Sequence, residues 1–485
     1  MKKKSISIIY PRGETISNFL TLPFIKNLSE NFEINIVVYS KEHLNLYKDS
    51  LKLINSVSVI QPRKKLVLID LCHHLLDLSH NIWINTKASN DRLIIKMNQS
   101  IMIFDKIKST LLLFFARIFA NKKGLFFLET FNEFVNYKLN YEDYIEDHFR
   151  QYNPTIVFNT SHIHNFNSLN WIYSAKRRKI KTATFIFSWD NITSQGRIIP
   201  KYDYLFTWNN ETKNLISKFY PQMSYDKIFV TGTPQFDTYF INDDKPLNRV
   251  EFCNLYGLNS EKPIFYYTTG MAHHMPGEPI IVKNILEYLE NFPFENRPQL
   301  LLRIYPKDFT DRFKPLLGLN NLFIQDTFWE QKALLPTPKA KYILRESLRN
   351  VDLGINIAST ITLELLMFNK PVINIAYTPT YNRDIRIEEE LFIQERKIYT
   401  EKQLRYLDFV DNKKWYSFEH YKQVTESGCI ELCYSFKELQ NKLFEFKQIK
   451  PDKNKVKNLF DIKFSNTLDG KSYNRIASKL IEIVN

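Results

Sequence analysis

Glycine and cysteine are both scarce in this chain, at 11 and 4 residues out of 485. Four scattered thiols, Cys72, Cys253, Cys429 and Cys433, cannot supply the disulfide framework of a small secreted domain. Cys429 and Cys433 have no matching Cys or His pair at zinc-ligand spacing, and no Asp-x-Asp motif occurs anywhere, so no metal or other cofactor is expected. No apolar run reaches the ~20 residues needed to span a bilayer. The nearest approach, residues 107–128, is interrupted by Arg117. Met1-Lys2-Lys3-Lys4 leads straight into a strand pattern, without the apolar core or cleavage site of a leader. A reducing cytoplasmic setting is therefore expected. Zinc-finger, RNP-type and arginine-rich signatures are also missing, which argues against nucleic acid as a partner.

What is present is a long, basic chain rich in α/β alternation. Its length exceeds one compact core, and two domains follow from the usual ~100–200 residues each. The first is read as 1–240 and the second as 241–465, with 466–485 a C-terminal helix packing back on the first domain. Residues 6–10, a helix to about 28, and residues 34–38 form a βαβ unit, the building block of parallel sheets. The pattern resumes with strands at 155–159, 182–187, 204–208 and 227–231, and the loop from Gly232 to Asp237 reads as the approach to a hinge. The second half repeats it with strands at 263–268, 299–305, 321–325, 351–357 and 372–376. Residues 381–429 are highly charged and weakly periodic, Glu388-Glu389-Glu390 reading as a solvated face.

The net charge of +14 is unevenly placed: residues 61–125 hold eleven Lys or Arg against four Asp, half of the excess. Within it, residues 107–128 read as one Phe- and Leu-rich helix carrying Lys108, Arg117, Lys122 and Lys123 and no acid. Such a helix either buries its apolar side and lets its cations snorkel, or lies on an anionic membrane.

The polar residues of the second half cluster where strands end, which is where open parallel sheets bind ligands. Thr269 and Gly270 follow one strand, Arg303 and Lys307 the next, and Ser359 and Thr360 a third. Ser359 and Thr360 stand where helix N-caps belong, so hydroxyls and free backbone N–H groups would converge on an anion. Together with the two cations they suit a phosphate or diphosphate without metal. Glu364 lies one turn on, at reach of a ribose hydroxyl or of solvent.

These segments resemble known proteins. RIYPKD (303–308) is similar to the His-Pro motif of sialyl- and Kdo-type transferases, with Tyr305 where the histidine would be. IASTITLE (357–364) is similar to their Ser-Ser or Ser-Thr donor-phosphate motif. FSWDNITSQG (187–196) resembles a tract of surface-carbohydrate biosynthesis proteins, and LDGKSYNRIASKLIEI (468–483) the Asp-Gly…Arg-Ile ending of capsule and CDP-glycerol transferases. The whole resembles GT-B glycosyltransferases of bacterial surface polysaccharide synthesis. That resemblance implies an α/β fold of two Rossmann-like domains facing across a central cleft. It implies sugar transfer from a CMP-, UDP- or CDP-linked donor to a hydroxyl of a glycan or lipid-linked acceptor, by a cytoplasmic enzyme that touches the inner face of the membrane. An inverting reaction would need a base from the first half: Asp190 or Glu14, with His162 and His164 as other candidates. Trp189 would stack on a sugar, Asn191 and His162 would contact the acceptor, and His273 and His274 the donor. A CDP-glycerol-like polyol-phosphate transferase, a nucleotide-sugar 2-epimerase and a non-catalytic polysaccharide-assembly protein are the alternatives.

Overall fold

The computed structural model describes residues 3–63, 66–98, 103–163, 166–241, 245–272, 274–379 and 411–485. His164, His273 and the acidic run 388–390 lie outside them.

The first half is a seven-stranded parallel sheet in the order β3-β2-β1-β4-β5-β6-β7. Its strands are β1 (Lys4–Tyr10), β2 (Phe32–Val38), β3 (Ser56–Val59), β4 (Ile156–Asn159), β5 (Lys181–Phe185), β6 (Tyr204–Thr207) and β7 (Ile228–Val230). Apolar residues alternate to both faces because helices cover both, and Ile6 sits in register between Ile34 and Ile156. The expected first helix is two: α1 (Gly13–Phe19) and α2 (Leu22–Ser29), the second opened by Pro23 in its first turn. A short α3 (Lys48–Leu51) precedes β3.

Between β3 and β4 lies a helical insertion: α4 (Val67–Ile84), α5 (Lys87–Asn98), α6 (Ile103–Phe119), α7 (Lys122–Leu139) and α8 (Asp143–Tyr152). The stretch read as one helix over 107–128 is broken at Asn121. Its Oδ1 accepts from Gly124 N–H at 2.9 Å and starts α7 afresh. A side chain at Gly124 would collide with the Phe119 backbone, so a glycine permits the tight turn. The half is completed by α9 (Leu169–Arg177), α10 (Asn191–Ser194) and α11 (Asn210–Phe219).

The second half opens with α12 (Arg249–Asn254), started by a full capping box between Asn248 and Glu251. Its six-stranded parallel sheet runs β10-β9-β8-β13-β14-β15. The strands are β8 (Ile264–Thr268), β9 (Gln299–Arg303), β10 (Leu322–Ile324), β13 (Leu353–Asn356), β14 (Val372–Ile375) and β15 (Glu431–Cys433), with a small hairpin β11 (Trp329–Glu330) and β12 (Leu335–Pro336). The crossovers include α13 (Glu278–Leu289), α14 (Pro338–Asn350) and α15 (Ile361–Met367). Two Rossmann-like domains thus face each other. In both sheets the strand order reverses about the first strand of the domain, β1 against β4 and β8 against β13.

The chain then returns to the first half, one helix sooner than the sequence reading placed it. Lys463, in the helix Lys453–Phe464, is buried with its ammonium 3.2 Å from Glu211 of α11. The last helix, Ser472–Val484, lies on α2, where Lys4 Nζ donates to the Val484 carbonyl at 2.6 Å. The Asp-Gly…Arg ending is the clasp for this return. Gly470 turns with φ +75° against Phe240, and Arg475 bonds Asp469 at 2.9 Å and the Thr231 carbonyl at 2.8 Å. That clasp meets Gly232, which has φ +78° and no room for a side chain beside Thr467 and Ser472.

Candidate active site between the two sheets

Both switch points open toward one seam, and it is crossed by side-chain bonds. On the second-half side, Thr268 and Arg303 pair in register at the ends of β8 and β9. Thr269 N–H donates to the Arg303 carbonyl at 3.0 Å, and Thr269 Oγ1 accepts from Tyr305 N–H at 2.8 Å. Thr269 therefore ties two strand-end loops together. Among the described residues no carboxylate forms an ion pair with Arg303. Its guanidinium charge acts instead on Glu364 and on Tyr239. Glu364 is buried, not solvent-facing, and Tyr239 donates its hydroxyl to Glu364 Oε2 across the seam. Burial raises the Glu364 carboxyl above its ordinary value, while the Tyr239 bond and Arg303 oppose that shift.

Gly270 has a different role from close approach to a ligand. The space a side chain would take is filled by Met275 Sδ, and Gly270 N–H donates to Glu278 Oε2 at 2.9 Å. Glu278 belongs to a fully buried cluster that sequence reading missed. Arg312 bonds Glu278 at 2.9 Å and Asp308 at 2.6 Å, and donates to the Gly270 carbonyl at 3.0 Å. Burial pushes the Glu278 carboxyl up to about 7, with Arg312 pulling against it. Local periodicity shows at most the Asp308 partner four residues back; Glu278 and Gly270 lie 34 and 42 residues away. The cluster pins the loop after β8 to the loop after β9, and so fixes the frame around Arg303.

Lys307 is committed. It pairs with Glu14 of α1, which Arg12 also holds, Nη2 to Oε1 at 2.7 Å. Burial lowers the Lys307 ammonium, and Glu14 opposes this. Held by both cations, Glu14 joins the two halves in this arrangement. The hairpin turn sits directly on α1: a side chain at Gly13 would strike the Ala333 carbonyl. Lys341 Nζ adds a bond to the Ser17 carbonyl at 2.6 Å.

Ser359 and Thr360 do precede α15, yet Thr360 makes no side-chain cap. Its Oγ1 accepts instead from Trp189 Nε1 of the first half at 3.2 Å. Ala358 takes a left-handed φ of +27°, an uncommon strain for a residue with a Cβ, and its N–H donates to Tyr416 Oη at 3.1 Å.

The loop after β5 departs most from expectation. Trp189 is buried, with its ring among His420, Tyr421 and the Lys463 ammonium 4.7 Å from its centre. That indole is a seam contact and offers no face to a sugar. Asn191 is buried too, its Oδ1 accepting from Ser188 N–H at 2.9 Å, so it shapes the loop rather than meeting an acceptor. Asp190 accepts from Ser194 Oγ at 2.8 Å at the start of α10, and its charge reaches His162 and His420. His420 is a seam residue that sequence reading did not single out. His162 is held near neutrality by burial, with its pKa lowered to about 4. It lines a cavity of about 180 Å³ in the first half with Asp77, Arg92, Phe166, Gln195 and Arg197. His274 packs edge-on to Trp415 at 5.2 Å. No group of three or more His, Cys, Asp or Glu side chains arranged to hold a metal occurs among the described residues.

Comparison with solved structures decides the architecture. A protein assigned as a UDP-N-acetylglucosamine 2-epimerase from Listeria monocytogenes superimposes with a TM-score of 0.51, over 99% of this chain and 96% of that one, at 12% identity. The S. aureus MnaA–UDP structure gives 0.50, over 99% and 97%, at 13% identity. The fold is GT-B. A glycosyltransferase from Rickettsia africae gives 0.48 at 13% identity, over 100% of this chain and 98% of that one. No protein-family model and no curated protein matches the sequence.

Proposed function

We propose that this chain is a glycosyltransferase that moves a sugar from a nucleotide-activated donor to a hydroxyl of a growing cell-surface glycan. The observation that carries the reading is Arg303. It stands at the carboxyl end of β9, beside the switch point, with no carboxylate partner among the described residues, while Lys307, Arg312 and Arg345 are all paired. A half-buried guanidinium at a strand end, whose charge reaches the buried Glu364 but forms no ion pair with it, is suited to an anionic ligand, and a nucleotide diphosphate is an anion that such strand ends often take. The GT-B fold, and the UDP carried by the S. aureus MnaA structure, support a nucleotide ligand.

In the proposed reaction the donor's glycosidic bond to phosphate breaks, and negative charge grows on the leaving phosphate. Arg303 stabilises that charge, Thr269 holds the Arg303 loop in place, and Glu364 receives a ribose hydroxyl once Tyr239 turns aside. Ser359 and Thr360 supply hydroxyls beside the phosphate. Asp190 takes the acceptor proton, and its hydrogen bond from Ser194 orients it for this. His162, neutral over the physiological range, lines the acceptor side.

The bridges Glu14–Lys307, Trp189–Thr360 and Tyr239–Glu364 describe a closed cleft, so donor entry requires the halves to part. Lys307 then exchanges Glu14 for phosphate.

Nucleotide release from UDP-, CDP- and CMP-linked sugars, measured with and without a crude glycan acceptor, tests the proposal. Acceptor-stimulated release that Asp190→Asn abolishes supports it. Conversion of a UDP-linked sugar to its 2-epimer, with no transfer, would replace it.

A further inference from the structure

The helical insertion carries an outward apolar face that the fold leaves bare. In α6, Ile107, Leu111, Phe114, Phe115 and Ile118 recur at helical spacing and are all exposed, Phe114 at 59%. In α7, Phe126, Phe127, Phe131 and Phe134 do the same, Phe127 at 56% and Phe134 at 57%. Phe127 stacks between Phe119 and Phe131, with centroids 5.9 and 6.3 Å apart, so the two helices share one aromatic surface. Their opposite sides are fully used. Leu113 and Ala116 pack on Leu78 of α4, and Leu125 and Leu128 on Leu76, Leu169 and Tyr173.

The charges are sorted the same way. The two acids of α7 point inward, Glu129 to Arg197 at 2.6 Å and Glu133 to Lys176 at 3.1 Å. Lys108, Arg117, Lys122, Lys123 and Lys138 are exposed. Apolar aromatics flanked by cations, with both acids of α7 withdrawn, match the boundary of an anionic phospholipid membrane. No helix among the described residues is long and apolar enough to cross a bilayer, so the geometry is that of a pair lying in the interface.

We propose that α6 and α7 dock this protein on an anionic phospholipid surface, their phenylalanines entering the headgroup boundary and their cations pairing with lipid phosphates. The docking face is built on α4, and α4 also supplies Asp77 to the cavity that His162 lines, where Asp77 accepts from Arg197 N–H at 3.0 Å. Where the transferase reading of the seam holds, on which this clause rests, the acceptor is therefore a lipid-linked glycan presented at the same surface.

Co-sedimentation of the full chain with phosphatidylglycerol–phosphatidylcholine vesicles, and with phosphatidylcholine vesicles alone, tests the docking without reference to any nucleotide. The wild type sediments with the anionic vesicles and is released by salt. Phe114→Ser combined with Phe127→Ser, both exposed and so compatible with an unchanged melting temperature, lowers the bound fraction at least tenfold. Lys122→Glu combined with Lys123→Glu lowers anionic-vesicle affinity by about tenfold or more, from the loss of two cations at the lipid surface. Wild-type protein that stays in the supernatant overturns the proposal, as do variants that bind like wild type. A wild-type dimer that the phenylalanine variant converts to monomer, with no vesicle binding, assigns the face to a second copy instead.

Discussion

Trp189 Nε1 donates a hydrogen bond to Thr360 Oγ1 at 3.2 Å, joining the loop after β5 to the first turn of α15. The bond links two segments 171 residues apart, one from each domain. It takes the hydroxyl that would otherwise cap α15 and lays the neighbouring Asp190 against His420 of the second half. The loop that carries Asp190 and the helix start that carries Thr360 are therefore joined through one indole.

Replacing Trp189 by Phe keeps the ring packing against His420 and Tyr421 and removes the donor. A seam hydrogen bond of this kind contributes ~0.5–1.5 kcal/mol. The variant should fold with a melting temperature lowered by a few degrees, and hydrogen exchange should show faster opening of 187–196 and 358–362 together. Exchange confined to one of the two segments would show that they open independently.

Asp190→Asn should leave nucleotide affinity within about twofold and lower turnover by ~10²–10⁴, the range for loss of a general base. Loss of affinity with unchanged turnover in bound enzyme would assign Asp190 to positioning. The comparison requires kcat and KM separately.

Arg312→Leu should be strongly destabilising, because it leaves Glu278 and Asp308 buried without their cation; breaking a buried pair costs about 3–5 kcal/mol. Chemical denaturation measures it. A wild-type midpoint would mean that water reaches the cluster and that the Gly270 and Lys307 loops are held by other contacts.

Acid should destabilise the fold. His73, His148 and His162 are buried, and burial lowers each pKa to about 4 from the ordinary 6.5. Between those values the unfolded chain binds protons that the folded chain does not, so stability present above pH 6.5 is lost as pH falls toward 4. His148, bonded to Ser7 and Ser58 at 3.0 Å each, is the most clearly structural of the three. His148→Asn should reduce the slope of melting temperature against pH in that window. An unchanged slope would mean that other groups carry it.

The sheet strands and their order of appearance were legible because buried parallel strands read as apolar runs ended by polar turns, as in 264–270 and 353–360. The strand-end clusters were legible for the same reason, and the fold itself places loops there. What each side chain does there was less legible. Trp189 looked like a free loop residue, but its partners Lys463 and His420 depend on how the C-terminal segment returns, whereas Asn191 is turned inward by the Ser188 amide of its own loop. Arg312 and Glu278 gave no signal, since a buried ion pair is a property of two distant positions. The break at Asn121 was readable in principle: Asn followed by Lys-Lys-Gly is a helix restart, masked by continuous hydrophobicity on both sides.

Binding of a nucleotide at Arg303 is the most direct test. The melting temperatures of the wild type and of Arg303→Ala should be measured with CMP, CDP, UDP, GDP and ADP in turn. A ligand of the folded state at about a hundred times its Kd adds ~2.7 kcal/mol, a readily measured shift. The wild type should respond to one of these nucleotides, and the variant should need ten- to hundredfold more of it, as expected for a lost charged hydrogen bond of ~1.5–3 kcal/mol. No response from the wild type to any of the five, or an equal response from the variant, would contradict a nucleotide site in this crevice.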